Sequence, residues 1–175
     1  VAQIFSSPGG VLLLRDRATG RFNPYRSWPL HLAAAVNAQS VPTEDELTAF
    51  LEERQWIIDV DEYRRAPQHY GNAAIPDWIL QSGSLRIIVP LLTLNRLDGV
   101  LLLQAPPPPF TMNFEDHDFL KTLGRHLAVH IGQHESDQQL AEARQFDAYN
   151  RLAAFVMHDL KNSVAQLQLL VTNAA

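Results

Sequence analysis

From Phe114 onward, roughly 60 residues run to Ala175 with Gly124 and Gly132 as the only weak points for a helix. Four consecutive prolines, Pro106 to Pro109, stand just ahead of that stretch and force an extended connection. The chain is thereby divided into a strand-rich first part and a helical second part. A single helix of that length would extend about 90 Å at 1.5 Å per residue. Its apolar positions Phe146, Tyr149, Ala153, Val156, Leu160, Val164, Leu167 and Val171 recur at gaps of three and four. That spacing marks a helix packed on other helices, and a parallel homodimer is the simplest partner. Near Leu160 and Val164 two gaps of four follow each other, a stutter that locally unwinds a coiled coil.

The first part reads as short strands between turns. Residues 1–5 resemble a helix end stopped by Ser6-Ser7-Pro8-Gly9-Gly10. Val11 to Leu14 is an apolar run, the segment Asp16 to Gly20 a hairpin turn, and Phe22 to Trp28 a partner strand with Pro24 at an edge or bulge. Leu32 to Ala38 is a short connecting piece. Thr43 and Glu46 have the spacing of a capping box for a helix through Leu47, Phe50 and Leu51. A strand is expected at Trp56-Ile57-Ile58, then a long loop with one short helix over 59–84. Arg86 to Leu92 and Leu97 to Gln104 read as strands joined by a turn at Asn95-Arg96, the second buried on both faces at Val100 to Leu103. Helical character begins at Asn113 or Phe114, with Glu115 and Asp116 in the first turn, and Phe119, Leu120, Leu123, Leu127 and Ile131 mark its packed face.

Composition narrows the chemistry. The chain has 175 residues, 46% of them hydrophobic, enough for one well-cored domain plus an extended element. A net charge of −5 without a Lys/Arg block argues against a nucleic-acid face. The absence of cysteine excludes disulfides, Cys-ligated zinc, thiol catalysis and thioether-linked chromophores. No run of 18 apolar residues is present to span a membrane. A start at Val1 and an end inside a helical pattern read as an internal fragment, with any anchor outside it.

One stretch carries chemistry: Phe155-Val156-Met157-His158-Asp159-Leu160-Lys161-Asn162. At about 100° per residue, His158 lies roughly 200° from Val156 and from Leu160, off the apolar seam, and Asn162 shares its face at i+4. An exposed imidazole is largely neutral and nucleophilic at pH 7. A carboxylate such as Asp159 can hold one ring N–H and raise the basicity of the other nitrogen. That nitrogen can attack an electrophilic phosphorus, and an amide one turn on could orient a water for the reverse hydrolysis. Exposed His-Asp pairs without any such role are also common on helices.

The stretch resembles the H-box of sensor histidine kinases. The resemblance implies His158 as phosphoacceptor, Asp159 as its acid/base partner and Asn162 as the residue assisting phosphatase chemistry. Where most members carry Pro shortly afterwards, this chain has Ser163-Val164, so the usual bend is not implied. The wording His-Asp-Leu-Lys-Asn is most like the kinases tied to exosortase/PEP-CTERM systems, the PrsK group. Ahead of it, Gly10 to Leu14, Ile88-Val89-Pro90-Leu91, Asp98 to Leu103 and the helix start at Phe114 to Leu120 resemble a GAF domain in order and spacing. The implied fold class is α+β: a GAF-like antiparallel sheet flanked by helices, followed by a long C-terminal coiled-coil helix. Residues 1–135 would be the sensory domain. Residues 136–175 would be a signalling helix and the first helix of a dimerisation and histidine phosphotransfer domain.

The resemblance further implies ATP and Mg²⁺ in the full-length protein, bound by a domain outside this chain, so that the fragment alone would be inactive. It implies a response-regulator receiver domain as phosphoryl acceptor, a cytoplasmic location for the segment, and a parent anchored in the bacterial inner membrane. GAF folds often bind small ligands between sheet and loops, and the ligand is left open. The competing reading is a non-catalytic GAF ligand-sensing and dimerisation module, with His158 a chance surface residue.

Three further groups have two readings each. His126, His130 and His134 at i, i+4, i+8 could share zinc or be helix-surface or dimer-contact residues. Trp28, Trp56, Tyr63, Tyr70 and Trp78 could line a pocket or form core. Arg64-Arg65 reads as a solvated loop pair rather than an anion site.

Overall fold

A computed structural model of the chain describes residues 7–29, 32 and 39–173, the side chains of residues 154 and 158–173 excepted. The expected helix end at 1–5 and most of the connecting piece at 32–38 lie outside the described residues.

The apolar runs between turn residues become the sheet. Strand β1 (Gly10–Asp16) pairs antiparallel with β2 (Arg21–Trp28) through a turn in which Asp16 Oδ1 accepts the amide of Ala18 and Gly20 takes φ +63°. The pairing shifts register between Leu12 and Leu13, opposite Arg26 and Pro24, so the proline sits at a bulge that spares the ladder its missing donor. Strand β3 (Val41–Pro42) pairs with β2, β4 (Ile58–Asp59) with β5 (Leu85–Thr93), and β5 with β6 (Arg96–Gln104). β6 returns to β1, giving the order β3-β2-β1-β6-β5-β4.

Both faces of the central strands are covered. On one face Val11, Leu13, Ile88, Val100 and Leu102 pack with Leu47 and Leu51 of helix α1 (Glu46–Arg54), Val60 of α2 (Val60–Arg65) and Ile79 of α3 (Asp77–Gln81). On the other, Val89 and Leu91 meet the first turns of α4 (Phe114–Asn173) around Gly124, with Leu120 and Ala128 buried. The run Val100 to Leu103 is therefore buried throughout, as its lack of alternation requires. By contact the chain divides into two compact units, Val1–His130 and Ile131–Ala175. The second is helical from Ile131 to Asn173. Among the described residues no helix is long and apolar enough to cross a membrane.

Several local expectations are corrected. The N-cap of α1 is Asp45, whose Oδ1 accepts the Thr48 amide at 2.8 Å, while the Thr43 hydroxyl donates to the Gly20 carbonyl at 3.0 Å. The segment 59–84 is more regular than a loop: it holds α2, a 3₁₀ turn at Pro67–Tyr70 and α3. Asp59, on β4, starts α2 by accepting the amides of Asp61 and Glu62. The hairpin joining β5 to β6 turns at Leu94-Asn95, with Leu94 at φ +57°, and Arg96 pairs with Thr93. Gly124 is a close-approach residue rather than a weak point.

Candidate functional site

Helix α4 begins where expected. Asn113 Oδ1 accepts the Asp116 amide and Asp116 Oδ2 accepts the Asn113 amide, both at 2.9 Å, a reciprocal cap. The backbone then stays helical through the whole Phe155–Asn162 stretch, so no break separates the sheet-bearing part from the motif. The side chains of His158, Asp159 and Asn162 lie outside the described residues. Of the predicted seam, Phe146, Tyr149, Ala153 and Val156 are exposed in the single chain, and Leu152, Phe155 and Met157 beside them are exposed as well. An apolar band of that length left in water is unfavourable by its area.

A second candidate lies within the first unit. A cleft of about 570 Å³ opens between the approach to β4 and the first two turns of α4. Gln55, Trp56 and Ile57 form one wall, Glu62 of α2 with His69 and Tyr70 of the 3₁₀ turn a second, and Phe114, His117, Asp118 and Lys121 the third. Trp56 and Phe114 are largely exposed, whereas Tyr70 is buried. Phe50 braces the aromatic wall edge-on, with ring centroids 6.4 Å from Trp56 and 6.1 Å from Tyr70.

The polar groups of the second wall are already satisfied. Tyr70 donates its hydroxyl to Glu62 Oε2 at 2.7 Å, and His69 Nδ1 lies 3.3 Å from Oε1. That tyrosine bond, more than any other influence, holds the Glu62 carboxyl below its ordinary range, so it stays ionised at neutral pH. Burial, then the carboxylate beside it, pushes the Tyr70 hydroxyl above its ordinary value, so it stays a donor.

Behind this wall Arg86 of β5 clamps Asp59 with two bonds, 3.2 Å to Oδ1 and 3.1 Å to Oδ2, and approaches Asp61 at 3.4 Å. Its guanidinium also lies over the Phe110 ring, 5.2 Å from the centroid. The hydrogen bond from Arg86 to Asp59 is the main reason its pKa rises further. The clamp ties β4, α2 and the proline-rich connection together.

The remaining sequence candidates separate. Trp56 and Tyr70 line the cleft; Tyr63 and Trp78 pack against the core; Trp28 is exposed on β2. His126, His130 and His134 are exposed, and no group of three potential metal ligands occurs among the described residues. Arg64 and Arg65 belong to α2: Arg64 bonds Asp61 and the Leu80 carbonyl, and Arg65 the Asp61 carbonyl. The sequence reading missed Glu62, His69, His117 and Lys121. The one available signal was the four-residue spacing of His117 and Lys121, which puts both on one helix face.

No protein-family model matches the chain, and no curated protein matches it. Solved structures do resemble it. The GAF domain from an Acinetobacter phosphoenolpyruvate-protein phosphotransferase has a TM-score of 0.54 at 20% identity, over 77% of this chain and 77% of that one. A domain of a putative two-component sensor histidine kinase from Sinorhizobium meliloti 1021 has 0.52 at 20%, over 79% and 87%. The GAF domain of a two-component sensor histidine kinase from Bacillus halodurans has 0.52 at 17%, over 75% and 86%. The likeness is one of fold: the chain has the GAF fold, followed by a long C-terminal helix.

Proposed function

We propose that this chain is the sensory and phosphoacceptor segment of a dimeric two-component sensor histidine kinase. One observation carries the reading: a GAF fold leads without a break into a helix bearing the motif Phe155 to Asn162. Two structures of similar fold come from sensor histidine kinases.

In this reading one ring nitrogen of His158 attacks the γ-phosphorus of Mg²⁺-bound ATP, held by a domain outside this chain. The N–P bond forms, the bond from that phosphorus to the bridging oxygen breaks, and ADP leaves with the electron pair. Asp159 holds the other ring nitrogen's proton and stabilises the charge that develops. The phosphoryl group then passes to a receiver-domain aspartate of a response regulator. Asn162, one turn beyond, orients water when the partner is dephosphorylated. The narrower likeness to the PrsK group rests on the wording His-Asp-Leu-Lys-Asn.

The same fold occurs in a phosphoenolpyruvate-protein phosphotransferase and in a methyl-accepting chemotaxis protein. That favours keeping a second reading, a non-catalytic sensing and dimerisation module. Phosphorylation of the full-length protein with labelled ATP separates the two. His158→Gln removes acid-labile phosphate in the first reading; label persisting in the variant excludes His158. Asn162→Ala keeps autophosphorylation and weakens dephosphorylation of the partner, and an equal loss of both would contradict its role.

A further inference from the structure

We infer that the cleft between the approach to β4 and the start of α4 binds a flat aromatic carboxylate, with Lys121 as its counter-ion. On the α1–α3 side of the sheet Phe22, Ile79 and Ile88 are fully buried core side chains, whereas this cleft opens at the β4 edge. The cleft offers about 570 Å³, within the range of small-molecule sites.

Its walls set the class of ligand. Trp56 and Phe114 present largely bare aromatic surface, and Phe50 and Tyr70 back the Trp56 side. A planar apolar body removes that surface from water and stacks on it. The charges then set the sign. The Glu62 carboxylate keeps its negative charge, but both of its oxygens already have partners on its own wall, Tyr70 at 2.7 Å and His69 Nδ1 at 3.3 Å. Asp118 is exposed. Lys121 is half-buried in the third wall and has no ion-pair or hydrogen-bond partner among the described residues. An ammonium in a mainly apolar cleft attracts an anion more strongly than one in open water. His117, one turn earlier on the same face, is placed to add a hydrogen bond. A ligand here would touch α4 itself; that it thereby influences His158 rests on the proposed function, whereas binding does not.

Isothermal titration of the whole chain with indole-3-acetate, its uncharged amide and tryptamine tests the inference without ATP. Indole-3-acetate should bind roughly tenfold tighter than indole-3-acetamide, with tryptamine weakest. Lys121→Met should erase the advantage of the acid and leave the amide unchanged, and Trp56→Ala should weaken all three probes. Lys121 and Trp56 lie outside the buried core, so circular dichroism should show both variants folded. Equal affinities, a preference for tryptamine, no binding of any probe, or an acid preference that survives Lys121→Met would each overturn it.

Discussion

The backbone of Gly124 lies against the carbonyl oxygen of Pro90, so closely that a β-carbon at 124 would stand 2.6 Å from it. Val89 Cγ1 would be 3.1 Å away as well. The contact sets how near α4 comes to β5.

Gly124→Ala should therefore destabilise the fold by about 1–3 kcal/mol, the usual cost of overpacking against atoms that cannot yield. Gly132, with nothing within 4 Å, is the control. Gly132→Ala should raise helix stability by about 1 kcal/mol. Opposite shifts of the thermal midpoint in the two variants are the expected result, and a shared direction would refute the close-packing account.

The Arg86–Asp59 clamp predicts a larger loss. Asp59 is buried, so Arg86→Met leaves a carboxylate in the interior with only the amides of Asp61 and Glu62 for company. The expected cost is about 3 kcal/mol. Adding Asp59→Asn should recover part of it, since asparagine still caps α2 without a charge. Urea denaturation of the single and double variants measures this. A double variant no more stable than Arg86→Met would mean that the stranded charge is not the source of the loss.

Much of the sheet was legible because β1, β2, β5 and β6 are runs of apolar or alternating residues bounded by turn residues. Their spatial order was not, since pairing depends on contacts far apart in sequence. The α1 cap shows how local signals compete. Thr43 and Glu46 have capping-box spacing, but Asp45 lies next to the helix and its shorter reach to the Thr48 amide wins. Gly124 read as a weakness because propensity counts only the cost within the helix and not the strand it approaches. The cleft was the least legible feature. Trp56 and Tyr70 stood out as aromatics, but Glu62, His69 and Lys121 come together only because α2, the 3₁₀ turn and α4 converge. The resemblance of Phe155 to Asn162 to an H-box was read from the residue pattern alone, and the backbone there is helical.

Acid should weaken the wall of the cleft in a defined window. The Glu62 carboxyl is held below its ordinary value of 4.5, first by the Tyr70 hydroxyl. A carboxyl depressed by folding stabilises the folded state fully above its unfolded pKa and loses that contribution as pH falls through the folded one. Tyr70→Phe removes the main cause. The stability difference between wild type and variant should be steady above about pH 5 and shrink below about pH 4.5. Denaturant midpoints from pH 7 to pH 3 report it, and a gap that stays constant over that range would assign the cost to packing alone.

The exposed seam of the second unit predicts which positions meet across a parallel homodimer. The chain has no cysteine, so a single introduced thiol can pair only with its copy in another chain. Tyr149 and Val156 lie on the seam, and Arg151 lies roughly 200° from Tyr149 around the helix. In an in-register pair, Tyr149→Cys and Val156→Cys bring their thiols within disulfide reach, while Arg151→Cys holds its pair outside it. Mild oxidation should crosslink the first two far faster than the third. All three are exposed in the single chain, so accessibility alone cannot produce that ranking. Equal rates at all three positions would show that chains meet only by collision, and the seam would need a different partner.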